Sequence, residues 1–297
     1  MTRLRGSWTA IAAVTLFLLS ACARADDTVA GPGDEASAGP SAPAVTDPDA
    51  LVLRIEHFGG FVAPDQQLGR LPVVSVYGDG RVITQGPQTA EYPGRALPNL
   101  LVQQIDPATL GGLLDKATAA GVRTGADLGQ PGVADAPTTR ITVATAGGTR
   151  TVDAVALSEA QSDDPRLTPA QRDARAKLAA FVQEAEDLSA AKGMPEAQPY
   201  QPAAIAAFAH PYTRPVDGLP KPPSAVAWPG PALPGAAFGG QAGCVTADGA
   251  DAAKVLAAAK SAKSITPWTS GGRQWTVVFR PLLPDEAGCA DLKVKGA

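Results

Sequence analysis

Two histidines, His57 and His210, are the whole imidazole complement of this 297-residue chain, and they limit the acid–base chemistry it can run near neutral pH. His57 follows Glu56 at the end of an alternating apolar stretch, so a serine–histidine–acid relay is open to it. No Gly-x-Ser-x-Gly turn supplies the serine, however. His210 stands among prolines in Ala209-His210-Pro211-Tyr212, a setting for packing or surface contact. Zinc needs three or four converging His, Cys or carboxylate ligands, so neither a metal nor a cofactor is expected. Ser189-Ala190-Ala191-Lys192 has the spacing that sets a lysine one turn from a nucleophilic serine. The chain lacks Lys-Thr-Gly and its only asparagine is Asn99, so the match is accidental. Gly78-Asp79-Gly80 and the glycines at 239, 240 and 243 read as turns, because neither stretch leads into the Lys-Ser/Thr of a phosphate loop. Glu159, Asp163 and Asp164, and again Asp285 and Glu286, lack calcium-loop spacing and read as solvated surface. Trp228, Trp268 and Trp275 cluster late in the chain and read as core, with a ligand platform as the rival. Trp275 and His57 are therefore the two weak site candidates, and no catalytic residue is assigned.

The three thiols, Cys22, Cys244 and Cys289, carry stronger signals. Arg3 and Arg5 precede an uncharged apolar stretch over 10–19, and Leu19-Ser20-Ala21-Cys22 closes it with small residues. That stretch falls short of the about 20 apolar residues a membrane-spanning helix needs. Along residues 1–22 the pattern resembles the bacterial lipoprotein family. The resemblance implies that 1–21 is a signal peptide and that Cys22 receives diacylglycerol on sulfur, palmitate-type chains included, and begins the mature chain. Two or three acyl chains, at about 0.8 kcal/mol per buried methylene, exceed what stable attachment requires. A lipid-anchored position on the extracytoplasmic face of the cell membrane follows. With Cys22 lipidated, an even pair remains, and in an oxidising compartment Cys244 and Cys289 form a disulfide. Closing that loop restricts the unfolded chain by about 4 kcal/mol. Residues 49–297 are similar to exported domains of high-GC Gram-positive bacteria, a likeness that transfers no functional residue.

Composition narrows the partners. The chain has 25 basic and 29 acidic side chains, and removal of Arg3 and Arg5 with the leader leaves 23 against 29, or −6. Nucleic acid demands a concentrated basic face, so it is excluded as a partner. The partners left are the membrane, through the anchor, and an envelope protein, glycan or small molecule.

The elements that must position these residues are written in local grammar. Residues 22–48 are small, polar and proline-rich, and read as a disordered tether holding the domain on the order of 30 Å from the membrane. An α+β domain is expected over 49–193. It opens with a strand at 51–58 and a hairpin of 72–77 with 81–85 around Gly78-Asp79-Gly80. A helix capped by Asp106 and Pro107 carries Leu110, Leu113, Leu114 and Ala117 on one face and stops at Gly121. A second hairpin joins 139–145 to 149–155. A helix starting at the capping box of Thr168 and Gln171 then presents Ala174, Leu178, Phe181, Val182 and Ala185. Eleven prolines over 194–234 read as an extended crossing segment with at most one short strand at 224–228, because proline removes ladder donors. A disulfide-closed C-terminal subdomain over 235–297, with a helix at 251–263 and a strand at 274–280, is expected to extend the same sheet. The expected fold is α+β, a mainly antiparallel sheet with about three helices on one face.

The function these features favour is a lipid-anchored binding or interaction protein of the cell envelope rather than an enzyme. The rivals are an exported hydrolase using His57 and a solute-binding protein of a transporter.

Overall fold

A computed structural model describes residues 47–215, 223–240 and 242–292. The expected signal peptide, the lipidation site Cys22 and all but the end of the tether lie outside the described residues. The chain divides into a unit Met1–Gly39 and a unit Pro40–Ala297. Every described residue belongs to the second.

The fold is α+β, as the alternation and capping signals require. Strand β1 (Leu51–Gly59) leads into a one-turn helix α1 (Pro64–Leu68) and then the hairpin β2 (Val74–Tyr77) and β3 (Arg81–Gln85). Gly80 closes that hairpin at φ +86°, and a side chain there would stand 2.4 Å from the Ile105 carbonyl oxygen, so both conformation and space call for glycine. Strand β4 (Leu100–Gln104), helix α2 (Pro107–Ala119), the hairpin β5 (Pro137–Thr145) with β6 (Gly148–Val155), and helix α3 (Pro169–Asp187) follow. With β7 (Gln198–Pro199) the strands form one antiparallel sheet in the order β6-β5-β1-β2-β3-β4-β7. Asp106 caps α2 through the Ala108 and Thr109 amides, and Thr168 and Gln171 close a reciprocal capping box on α3. Leu113, Leu114 and Ala117 of α2 and Leu178, Phe181, Val182 and Ala185 of α3 pack on Leu53, Ile55, Val76, Ile141 and Val143. This is the first core.

The C-terminal part does not extend that sheet. It builds a second one from β8 (Ala204–Pro211), β9 (Val226–Ala227), β10 (Ala236–Gly239), β11 (Ala242–Asp248), β12 (Trp268–Ser270) and β13 (Arg273–Pro281), with helix α4 (Gly249–Lys260) between β11 and β12. The order is β10-β11-β8-β13-β12-β9, antiparallel except where β9 meets β12. The proline-rich segment is thus corrected from a crossing segment to the source of a central strand. Pro202 and Pro211 lie far enough apart to leave Ile205 to His210 their amide donors, and the residues Ile205, Ala206, Ala207, Phe208 and Ala209 are wholly buried between two neighbours. The expected short strand at 224–228 is β9. Ile205, Ala207, Ala209, Val255 and Ala259 share a core with Trp228, Trp268, Trp275 and Phe279 on the α4 side. On the opposite face, Ala206 and Phe208 pack with Leu282 and with Leu68 of α1. Cys244 on β11 is bonded to Cys289 in a 3-10 turn spanning Cys289–Leu292, which ties that turn to the second sheet. Among the described residues no helix is long and apolar enough to cross a membrane.

Candidate functional site

Helices α2 and α3 cover one face of the first sheet. On the other face, strand alternation sends Arg54, Glu56 and Phe58 of β1 outward beside Arg140 and Thr142 of β5 and Thr149 and Thr151 of β6. The end of α1 and the chain after β13 stand opposite, and a cleft of about 630 Å³ opens between them. Its far wall carries Gln67, Arg70, Arg280, Glu286 and Asp291. That volume falls within the range of small-molecule sites.

Most of the charge in the cleft is already paired. Arg54, with a side chain 12% exposed, donates to Ser75 Oγ, to Tyr77 Oη and to Asp285 at 2.7 Å, and Tyr77 Oη donates to the same carboxylate. Burial opposes the Arg54 charge, but Asp285, Tyr77 and Glu286 outweigh it and hold the guanidinium above its ordinary pKa. Burial pushes the Tyr77 phenol far up, so it stays protonated and serves as a donor. Arg280 and Glu286 form a second pair at 2.8 Å, with side chains 4% and 7% exposed, and Glu286 also accepts from the Leu283 amide. Removing one member of such an enclosed pair strands the other at a cost of about 3–5 kcal/mol. Arg54 with Asp285 joins the first sheet to the chain after β13, and Arg280 with Glu286 holds that chain on the second sheet, so the two pairs together form a seam. Arg140 grips Asp153 with two nitrogens at 2.8 and 2.7 Å and lies over the Phe58 ring.

Arg70 is different. Strand β2 begins at Val74, so its pairing with β1 ends at Ile55, whose carbonyl accepts from the Val73 amide, and the carbonyls of His57 and Gly59 point past the end of the neighbouring strand. The Arg70 Nη1 fills that gap, donating to His57 O at 3.3 Å and Gly59 O at 3.0 Å. Arg280 Nε in turn donates to the Arg70 carbonyl. Among the described residues no carboxylate lies within the 4.0 Å of an ion pair with Arg70. The guanidinium is positioned but not neutralised.

His57 borders the cleft, but alternation turns its ring to the helix-covered face with Leu53 and Ile55. There Nδ1 lies 3.1 Å from the hydroxyl of Thr139, its cross-strand partner, which is 2% exposed. Burial first, and the Arg70 charge second, hold the imidazole below its ordinary pKa, against a weaker pull from Glu159. A hydroxyl is within reach, but it is enclosed, away from the cleft, and among the described residues no carboxylate bonds the ring. His210 Nε2 meets Asp65 of α1 at 3.1 Å, linking that helix to β8. Trp275 is 4% exposed in the second core and donates to Ser270 O. Ser189 sits in a 3-10 turn, where its carbonyl accepts from Gln103. Of the acidic residues expected at the solvated surface, Glu159, Asp163 and Asp285 are exposed, while Asp164 and Glu286 are corrected to enclosed positions. Glu286 is enclosed by Arg280, and Asp164 accepts from the Gly132 and Arg166 amides, bonds that hold its carboxyl below the usual range. Among the described residues no cluster of three or more His, Cys, Asp or Glu side chains is placed to hold a metal.

No protein-family model, curated protein or solved structure matches this chain. The cleft has to be interpreted from its own chemistry. Sequence reasoning passed over its arginines. Arg54 had a signal, a charge set among Leu53 and Ile55 at the alternate position. Arg70 had none, since its role depends on where β2 starts and on Arg280, 210 residues further along.

Proposed function

We propose that this chain is a lipid-anchored binding protein of the cell envelope, held at the extracytoplasmic face of the cell membrane through Cys22, with its ligand site in the cleft between the two sheets. The observation that carries the reading is the cleft. It is a concave space of about 630 Å³ whose walls come from both sheets and whose polar side chains are fixed by neighbours before any ligand arrives. The cysteine arithmetic supports the anchor: Cys244 and Cys289 are bonded to each other, and Cys22 is the one thiol left. The ring of His57 faces away from the cleft, so binding is favoured over hydrolysis.

Two measurements test this. Mass spectrometry of protein purified from membranes in mild detergent should find diacylglycerol on the Cys22 peptide, and Cys22→Ala should move the protein to the aqueous phase. An unmodified wild-type peptide refutes the anchor. For the cleft, Thr151→Trp projects an indole into the space. An envelope component retained by the wild type should be lost, and equal retention by both proteins removes the cleft as the site.

A further inference from the structure

We propose that the cleft recognises an anionic group, a carboxylate or a phosphoryl oxygen, on the guanidinium of Arg70; this rests on the cleft being the ligand site. Arg54, Arg140 and Arg280 each have a carboxylate partner, at 2.7, 2.7 and 2.8 Å. Among the described residues, Arg70 alone of the four bordering arginines has two backbone carbonyls instead, and both accept from Nη1. Carbonyl dipoles orient a guanidinium without cancelling its charge. Its Nε and Nη2 have no bond partner among the described residues and form the donor pair that binds an oxyanion side by side.

The geometry also makes Arg70 a prepared donor. Its side chain is fixed where β1 outruns β2, and its backbone is fixed by Arg280 Nε at 3.1 Å. The rotamer entropy of a long side chain is therefore spent in folding rather than in binding. The hydroxyls of Thr142 and Thr151, on the opposite wall and 3.4 Å apart, offer the rest of an anionic ligand further partners. Arg140 laid over Phe58 forms a flat floor beside them. An unneutralised charge at Arg70 also has a reporter, because that charge is one of the two causes that depress His57. An anion seated on Arg70 offsets it.

The test uses the full-length protein in a non-ionic detergent, with inorganic phosphate and citrate as probes to separate phosphoryl from carboxylate recognition. Calorimetry should detect binding of one or both by the wild type. Arg70→Gln should weaken it by about tenfold or more, the loss expected for one charge-assisted contact. Arg150→Gln, which removes an equal charge from the exposed opposite face of β6, should leave it unchanged. Because the chain has only two histidines, proton NMR gives a second readout that needs no variant. The probe should raise the His57 titration while His210 serves as reference. Two results overturn the proposal. One is absence of heat and of any His57 response beyond that to sodium chloride of equal ionic strength. The other is equal affinity in Arg70→Gln and wild type. If either occurs while Thr151→Trp still abolishes retention of an envelope component, the anion assignment fails and the cleft stands as the site. If Thr151→Trp has no effect on that component, the cleft itself fails.

Discussion

The two sheets solve the same packing problem in opposite ways. The first closes an aliphatic core of Leu, Ile and Val under α2 and α3, and three of its neighbour pairs are local hairpins or short returns: β2 with β3, β3 with β4, and β5 with β6. The second puts alanines on its central strand and fills the space above them with indole and phenyl rings. Trp228 meets Trp268 edge to face with centroids 5.6 Å apart, and Trp268 meets Phe279 at 5.4 Å. Its central strand β8 pairs with β11 and β13, both far along the chain. Small residues on a strand leave no core of their own, so the rings and the disulfide have to supply what the first sheet obtains from its strands. Stability in the second sheet is therefore concentrated in a few side chains.

Trp268→Ala tests that concentration most sharply. The ring is 1% exposed and touches two aromatic partners, and its loss should cost about 3–5 kcal/mol, the upper part of the large-to-small range. Hydrogen exchange should then rise across β8, β11 and β13 before it rises in β1 and β5. Equal loss of protection in both sheets would mean that the seam of Arg54, Asp285, Arg280 and Glu286 makes them one cooperative unit. Replacing Cys244 and Cys289 together by alanine comes next. The bridge spans 45 residues and, on the chain-entropy account, contributes about 4 kcal/mol, reduced by whatever order the unfolded chain retains. Urea unfolding should register the loss, with β10, β11 and the terminal turn the first elements to exchange. A midpoint unchanged from the wild type would remove the disulfide from the argument.

The same contrast governs what could be read in advance. In the first sheet the signals are local: Gly78-Asp79-Gly80 fixes a hairpin, and Asp106 with Pro107 and Thr168 with Gln171 fix two helix starts. Apolar spacing then gives Leu178, Phe181 and Val182 their common face. In the second sheet the decisive facts are non-local. Between Pro202 and Pro211 the run from Ile205 to Ala209 has the length and burial of a central strand, but the prolines around it outweighed that run. Its partners are β11 and β13, whose pairing no turn announces. The cleft was harder still. Arg54, Arg140 and Thr151 come from three strands whose register brings them together, while Arg70 takes its place from a strand that starts late and from Arg280 on the other sheet. Glu286 looked like a solvent-facing acid because its arginine partners lie on strands distant in sequence or behind a turn. Residue types announced the disulfide, and topology alone assembled the cleft.

The smallest effect to look for sits where the two sheets meet, at His57. Its folded-state pKa is held below the ordinary value by burial and then by Arg70, so the folded protein takes up a proton less readily than the unfolded chain, whose histidine titrates near about 6.5. Where the unfolded state holds more protons, stability rises with pH. The contribution is therefore full above about pH 6.5, declines as pH falls through that value, and flattens once the folded-state pKa has been passed. His57→Gln should remove this slope from urea midpoints measured across that window. Arg70→Gln removes the second cause and leaves the first, so it should shrink the slope without abolishing it. A slope unchanged in His57→Gln would assign the pH response to other groups, and one unchanged in Arg70→Gln would mean that the guanidinium's field does not reach the ring. Because His57 is only half-buried, solvent screening keeps the effect well below those of Trp268 and the disulfide. Its value lies in reporting on the charge state of the cleft from the far face of β1.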